Sequence, residues 1–475
     1  MVSAVRFCPS ANLIIIIKTI NQKLPASLII SISGIRGIVG KDFDRATVKT
    51  LLYGYVQLLG KGLFVLAGDS RSHTPKIQQW VADELVNLGC DVIDAGLEPT
   101  PTLNIAVPKF KARGGIIVSA SHNPKEYNGL KFFDSTGHYL DQKKLNKLLA
   151  LSQKPNHAKI TKLGIIRKIN NLSALHIQKL GAITNPKINW QSRDKKIRVL
   201  VDAINGAGCN FLSHLFNELN CDRTIINDNP SKPFPHQPEP NFKNLKTVSK
   251  IMKGSRFDIG FATDPDCDRV IVLTPKQGVI CEEYTIALCL LRLTQLHKKG
   301  KVIINFASSL LNEYIARQNG LEIVRVPVGE HNIYARMQKE NAILGGEGNG
   351  GVMDPHINST RDSFTGIVHI LSLLAESGQS IDQIIDSLPK FEIIKDKVPI
   401  ANLDLKKTYH KIEKHFLKTN NPPRAISYED GIWLGWNNQW VMFRPSNTEP
   451  IARVMAESLD ILKTKKLIET IKKIL

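Results

Sequence analysis

Acidic residues are scarce in this 475-residue chain: 43 Asp and Glu stand against 63 Lys and Arg, a formal net charge of +20. Such a surplus invites a nucleic-acid reading, because basic surfaces attract phosphate backbones. The lysines are dispersed, however, in short runs such as Lys195-Lys196 and Lys465-Lys466, and no basic stripe interleaved with aromatics appears. We expect no nucleic-acid partner; the richness in Ile, Lys and Asn fits an AT-biased genome, and the positive field would draw in small anions. Cysteine is also sparse. Cys8, Cys90, Cys209, Cys221, Cys267, Cys281 and Cys289 form no Cys-x-x-Cys pair and no zinc spacing, which points to reduced thiols and a cytoplasmic location. No long hydrophobic run is present: Leu13–Ile17 is cut short by Lys18 and lacks a good cleavage signal, so neither a membrane span nor a signal peptide is expected. Residues 1–27 read as an extension that is an extra strand, a disordered arm, or sequence upstream of the true start.

The length exceeds what one hydrophobic core supports, and 42% apolar content is ample for several, so two to four domains are expected. Leu51, Leu52, Tyr55, Leu58 and Leu59 mark a helical face, Phe64–Ala67 and Val92–Ala95 mark strands, and Lys76–Leu88 is an amphipathic helix between them. The alternation restarts at Ile197–Asp202 and again at Val302–Asn305, implying three α/β units. Near the end, Ile432–Phe443 with Trp433, Trp436 and Trp440 predicts a hairpin turning at Asn437-Asn438, followed by a Lys-rich helix over Leu459–Leu475.

The densest chemical signal is Asp264-Pro265-Asp266-Cys267-Asp268-Arg269, directly after the apolar run Phe257–Thr263. If the segment stays extended, residues at i, i+2 and i+4 share a side, so the three carboxylates converge on one hard divalent cation while Cys267 turns away. A second signal is Ser119-Ala120-Ser121-His122-Asn123-Pro124, after the strand-like run Gly114–Val118. The mouth of a parallel strand is where α/β sheets present reactive groups. No Gly-x-Ser-x-Gly elbow surrounds Ser121, and an adjacent histidine is badly placed as its base, which argues against a hydrolase triad. Arg444, Ser446, Asn447 and Thr448, with Arg453 beyond, combine a guanidinium fork, hydroxyls and an amide in a form suited to cradling an anion.

With Ser33-Gly34-Ile35-Arg36-Gly37 and Gly345-Gly346-Glu347-Gly348-Asn349-Gly350-Gly351, these make five motifs in fixed order from about residue 28 to the C-terminus. In that order they resemble the α-D-phosphohexomutase superfamily, and most closely its bacterial phosphoglucosamine mutases. The resemblance implies three similar α/β mixed-sheet domains plus a C-terminal α+β domain around a central cleft. Boundaries placed from motif spacing are 28–168 for the phosphoserine domain, 169–277 for the metal domain, 278–391 for the sugar domain and 392–475 for the phosphate-binding domain. It further implies that Ser121 is the phosphoserine, a metal ligand together with Asp264, Asp266 and Asp268, with Mg²⁺ as the ion and a hexose 1,6-bisphosphate as activator. Arg36, His122, Lys131 and Arg269 would lie beside it, with Lys131 and Arg36 handling either the proton or the phosphate charge; a lysine desolvated near other cations can have a lowered pKa and serve as a base.

By the same resemblance Glu347 and Asn349 grip the sugar hydroxyls, although Asn349 and Gly351 stand where many relatives carry Ser and then His. Either Glu330 or His331, in Val328-Gly329-Glu330-His331, contacts the hexose or shuttles a proton. Arg444, Ser446, Asn447, Thr448 and Arg453 take the phosphate that is not reacting. The implied reaction interconverts hexose 6-phosphate and hexose 1-phosphate through phospho-Ser121, with glucosamine phosphate placed ahead of mannose or glucose phosphate. A metal-dependent sugar phosphatase and a non-catalytic sugar-phosphate sensor are the rival classes. Hexose phosphates are the expected partners, with the protein a monomer or homodimer and no membrane attachment.

Overall fold

The computed structural model describes residues 24–153, 162–184, 196–296, 298–358, 360–400, 403–446 and 451–475. Asn447 and Thr448, and residues 1–23 of the N-terminal extension, lie outside them. The described residues form two compact units: one holds residues 24–292 with Asn349–Ile384, the other Leu293–Gly348 with Ile385–Leu475.

The larger unit begins with a seven-stranded mixed sheet. Its order is Ile29–Ser31, Gly34–Ile38, Tyr127–Asp134, Gly114–Val118, Leu63–Gly68, Asp91–Leu97 and Ile166–Lys168. Gly114–Val118, Leu63–Gly68 and Asp91–Leu97 run parallel, so their C-terminal ends share one edge, and the loops that leave that edge carry Ser121, Arg71 and Thr100. The sheet is apolar on both faces, with Val118, Leu66 and Phe64 on one side and Val65, Ala67 and Ile117 on the other, as expected of a strand set covered by helices. Two of those helices, Arg45–Leu59 and Gln142–Ser152, start where Asp44 and Asp141 accept the N–H of the third residue on, satisfying an otherwise orphaned donor.

A second mixed sheet runs Gly278–Val279, Val270–Thr274, Ile259–Thr263, Arg198–Asp202, Asp222–Ile226. Ile259–Thr263 is parallel to Arg198–Asp202 and antiparallel to Val270–Thr274, pairing Thr263 with Val270. The acidic segment is therefore the loop of a hairpin rather than an extended strand.

In the smaller unit, Lys301–Asn305 is flanked by parallel partners Glu322–Val326 and Leu344–Glu347. The last sheet is antiparallel throughout, in the order Glu392–Pro399, Ile451–Ser458, Gln439–Pro445, Ile432–Gly435, Ala425–Ser427. The tryptophan-rich hairpin forms as expected: Gly435 pairs with Trp440 and Trp436 N–H bonds Gln439 C=O across the turn. Trp433 and Trp440 then pack with Phe306 and Leu310, while the closing helix Ile461–Ile474 buries Leu467, Ile468 and Ile471. Among the described residues no helix is long and apolar enough to cross a membrane.

One close helix contact depends on a glycine. A Cβ on Gly54, in the helix Arg45–Leu59, would stand 2.5 Å from Leu148 O and 2.2 Å from Ser152 Oγ of the helix Gln142–Ser152. Backbone cannot retreat from such a clash without parting the helices. Gly54→Ala is therefore expected to destabilise the protein by about 1–3 kcal/mol. Gly181→Ala, where a Cβ meets nothing within 4 Å, should stay within about 0.5 kcal/mol of wild type in the same denaturant titration.

Candidate active site

The hairpin loop after Ile259–Thr263 brings three carboxylates together by folding back on itself. Asp264 Oδ1 accepts the backbone N–H groups of Asp268 and Arg269, both at 3.0 Å, and Cys267 adopts a left-handed φ of 60°. Strand alternation thus predicted the convergence for the wrong reason; a tight turn produces it. One oxygen from each of Asp264, Asp266 and Asp268 lies within 4.8 Å of the others, and all three side chains are buried. Asp266 also accepts from Thr100 Oγ1, while Thr100 N–H bonds the Asp266 carbonyl at 3.0 Å, placing the N-terminal end of the helix Thr100–Lys109 against the cluster.

So much buried like charge must be compensated. The Lys131 ammonium bonds Asp266 and Asp268, and Arg361 Nη2 donates to Asp268 Oδ2 at 2.9 Å. Burial opposes ionisation of Asp268, but Arg361 and Lys131 outweigh it and hold this carboxyl well below the usual range. At Asp264 burial, reinforced by Asp268 and Asp266, outweighs the charges of Arg269 and Lys131 and pushes the pKa well above the ordinary value. Among the described residues no hydrogen bond reaches Asp266 Oδ1 or Asp268 Oδ1, both buried, and Arg269 Nε stands 3.7 Å from Asp268 Oδ1. Orphaned carboxylate oxygens facing a cluster of this kind fit a hard divalent cation.

Ser121 reaches the same cluster from the first sheet. Its Oγ donates to Asp264 Oδ2 at 2.9 Å and lies 3.4 Å from His122 Nδ1. Its own backbone is left-handed, with φ 48°. His122 is kept well below the usual imidazole pKa by burial and by the charges of Arg269 and Arg36, so the ring is held neutral. Arg36 donates to Asn123 Oδ1 at 2.7 Å and to Ser33 O at 3.2 Å, which ties the opening hairpin to the serine loop. Lys131 corrects one expectation: burial disfavours its charge, yet the carboxylates of Asp266 and Asp268 prevail, and its pKa is raised rather than lowered. Arg269 turns to Glu239, at 2.6 Å, whose other oxygen stands 3.6 Å from His122 Nε2.

The remaining candidates are distributed differently. Asn349 belongs to the larger unit, where its Oδ1 accepts Gly351 N–H, whereas Glu347 belongs to the smaller one. Glu347 Oε1 accepts Gly329 N–H and an Asn305 Nδ2 proton, both at 3.2 Å, at the N-terminus of the helix Glu330–Glu340 that carries Glu330 and His331. Asp430 bridges this loop to the last sheet, accepting Val328 N–H at 2.8 Å and Arg444 Nε at 2.6 Å. Arg444 and Arg453 are directly opposite residues of adjacent strands. Asp430 offsets part of the charge this pair brings to one face of the sheet. Ser446 N–H closes the strand end on Ile451 O at 2.8 Å.

Four family models match the chain in order: phosphoglucomutase/phosphomannomutase alpha/beta/alpha domain I over residues 28–159, domain II over 175–278, domain III over 282–391, and the C-terminal domain over 397–473. The chain belongs to the phosphoglucomutase/phosphomannomutase family. It is a phosphohexomutase, an isomerase that acts by phosphoryl transfer, with the family's four-domain fold. It is 31% identical over 444 residues to a phosphoglucomutase/phosphomannomutase of Thermococcus kodakarensis, covering 92% of this chain and 96% of that protein. A phosphoglucosamine/phosphogalactosamine mutase of Sulfurisphaera tokodaii is 30% identical over 450 residues, covering 93% and 97%. Among solved structures, a putative phosphomannomutase from Thermus thermophilus aligns with a TM-score of 0.79 at 26% identity, over 95% of this chain and 99% of that one.

Sequence reasoning missed Arg361, Glu239 and the pair Asp69 and Arg71. Arg361 is 93 residues from Asp268, and nothing in Ser359-Thr360-Arg361-Asp362 marks it as a partner of the acidic loop. Its neighbours hold it there: Asp362 bonds His176 Nε2 at 2.8 Å, Thr360 accepts from Asn104, and Asn358 donates to Pro101 O. Removing one partner of a buried pair leaves the other uncompensated. Arg361→Ala should destabilise this phosphohexomutase by about 3 kcal/mol. Combining it with Asp268→Ala should recover part of the loss, a non-additivity of about 1 kcal/mol or more in a double-mutant cycle read by denaturant unfolding.

Proposed function

We propose that phospho-Ser121 transfers its phosphoryl group to the free hydroxyl of a hexose phosphate and takes back the other phosphate of the resulting bisphosphate, interconverting the 6- and 1-phosphates. In the first half the Oγ–P bond breaks, a P–O bond to the sugar forms, the sugar hydroxyl gives up its proton and Ser121 Oγ takes one up as it leaves; the second half is the reverse at the other end of the sugar. The observation that carries this reading is the 2.9 Å contact of Ser121 Oγ with Asp264, in a buried cluster of three carboxylates. Asp264, Asp266, Asp268 and a phosphate oxygen on Ser121 would hold Mg²⁺, which neutralises charge on the transferring group when bound.

The chain's own groups divide the remaining work. Lys131, bonded to Asp266 and Asp268 at the edge of the cluster, is placed to neutralise charge on the phosphoryl oxygens, and Arg36 and Arg269 add positive charge. His122, whose Nδ1 lies 3.4 Å from Ser121 Oγ, is our candidate to accept the sugar's proton. Glu330, His331, Glu347 and Asn349 select the hexose. Arg444, Ser446, Asn447, Thr448 and Arg453 grip the phosphate that is not reacting, a reading supported by the opposed Arg444 and Arg453. A hexose 1,6-bisphosphate would serve as activator by restoring phosphate to Ser121.

Glucosamine phosphate is our first choice of substrate, supported by relatives named phosphoglucosamine mutases; mannose and glucose phosphates follow, supported by the relative named phosphoglucomutase/phosphomannomutase. Incubating the protein with each hexose 6-phosphate, Mg²⁺ and the matching 1,6-bisphosphate, followed by phosphorus NMR, should show the 1-phosphate appear fastest with glucosamine phosphate. Release of inorganic phosphate alone would identify a phosphatase instead. Ser121→Ala should lose about 10⁴-fold or more of the turnover while keeping its fold, because it removes the one hydroxyl that bonds the acidic cluster through Asp264 among the described residues. Excess chelator should likewise stop turnover, with Mg²⁺ restoring it better than Ca²⁺ because the larger ion relaxes the octahedral geometry. Full activity in chelator would refute the metal reading.

A further inference from the structure

Ser121 holds a left-handed backbone, φ 48°, that a non-glycine residue keeps only where its surroundings over-determine it. The surroundings that do so lead back to one buried pair, Asp69 and Arg71, in the loop between the strand Leu63–Gly68 and the helix Thr74–Asn87. A guanidinium has five N–H donors in a fixed fork. Every one from Arg71 is assigned: Nη2 donates to Ser121 O at 2.5 Å and Asn123 O at 2.7 Å, Nη1 to Pro124 O at 2.7 Å and Tyr127 O at 3.0 Å, and Nε to Asp69 Oδ2 at 3.0 Å. Four of these acceptors are backbone carbonyls of the serine loop.

Asp69 completes the circuit from the other side. Its Oδ2 also accepts from Ser119 Oγ at 2.7 Å, and Ser119 Oγ in turn accepts Ser121 N–H at 2.8 Å. Both the N–H and the C=O of Ser121 are thus tied, through one intermediary each, to a single carboxylate. Arg71 N–H and Thr74 Oγ1 fix Asp69 Oδ1 in turn, and the Phe234 ring covers the guanidinium at 5.2 Å. The Arg71 side chain is 1% exposed and that of Asp69 is fully buried, so solvent does not compete for these bonds.

We propose that Asp69 and Arg71 are positioning residues: they clamp the backbone of Ser121 in its left-handed conformation, so that Oγ points at Asp264 through both halves of the phosphoryl transfer. Neither touches the reacting atoms. The clamp rests on the reading of Ser121 as the phosphoryl carrier. A carrier that must give and take a phosphoryl group in line, at both ends of a sugar, needs one backbone geometry in its phosphorylated and free states. Carbonyl acceptors provide that, because phosphorylating Oγ leaves them unchanged.

Lysine keeps the charge but has three donors in place of five and no planar fork, so Arg71→Lys leaves carbonyls of the loop without a partner. Amide hydrogen exchange over residues 119–127 should then quicken, and kcat should fall about 100-fold with KM changed much less, since misplacement costs rate rather than binding. Ser119→Ala cuts only the Ser121 N–H arm and should lower kcat in the same direction by about tenfold. Arg292→Lys is the control for loss of a buried guanidinium, because Arg292 bonds Glu376 and His369 away from the serine loop; it should lower stability without the kcat effect. Unchanged exchange over 119–127 in Arg71→Lys overturns the clamp whatever residue carries the phosphoryl group. Faster exchange with wild-type kcat in both variants, or a kcat loss no larger than that of Arg292→Lys, overturns the positioning role. Turnover surviving in Ser121→Ala would instead strike the carrier reading, and the exchange result would still decide whether the clamp exists.

Discussion

Crowding three carboxylates into one buried hairpin loop is the constraint on which the larger unit depends. A buried charge cluster is tolerated only where opposite charge, donors and dipoles are fixed around it. Lys131 comes from the strand Tyr127–Asp134, Arg361 from the segment before the helix Ser363–Ser377, and Thr100 from the start of the helix Thr100–Lys109. Each compensating group belongs to a different stretch of chain. The cluster therefore forms only when those stretches pack correctly, and the packing in turn presents Ser121 to Asp264.

Rigid support for the serine loop and tolerance of charge in the acidic loop are separate devices. The Asp69 and Arg71 pair works through backbone carbonyls and a planar fork, which set geometry. Lys131 and Arg361 work through charge on Asp266 and Asp268. That division suits phosphoryl transfer, where there is little covalent chemistry for side chains to perform and most catalysis is positioning and electrostatic stabilisation. In the smaller unit the same economy recurs, with Asp430 joining the Val328 loop to Arg444, opposite Arg453.

Strands were the most legible elements. Gly114–Val118 was found residue for residue, and Arg198–Asp202, Lys301–Asn305 and the tryptophan hairpin to within a residue or two, because apolar runs and turn dipeptides are local signals. The acidic loop shows the opposite case. Its residues announced a cation site, but alternation gave the wrong backbone, because a hairpin returning to Val270 cannot remain extended over residues 264–269. Lys131 was misjudged for a related reason: neighbouring cations were visible by resemblance, while Asp266 and Asp268, which dominate its charge, come from 135 and 137 residues away.

The order of motifs along the chain, the residue types able to carry, hold and neutralise phosphate, and the alternation of strands with helices were all determined by the sequence, since each depends on neighbours within a few positions. Tertiary structure alone decided which cations face which carboxylates, why Ser121 keeps a left-handed backbone, and that Arg361, Glu239, Asp69 and Arg71 belong to the site at all. Those outcomes rest on pairings between segments far apart in sequence. A buried charge has no preferred partner until folding removes the water that would otherwise satisfy it.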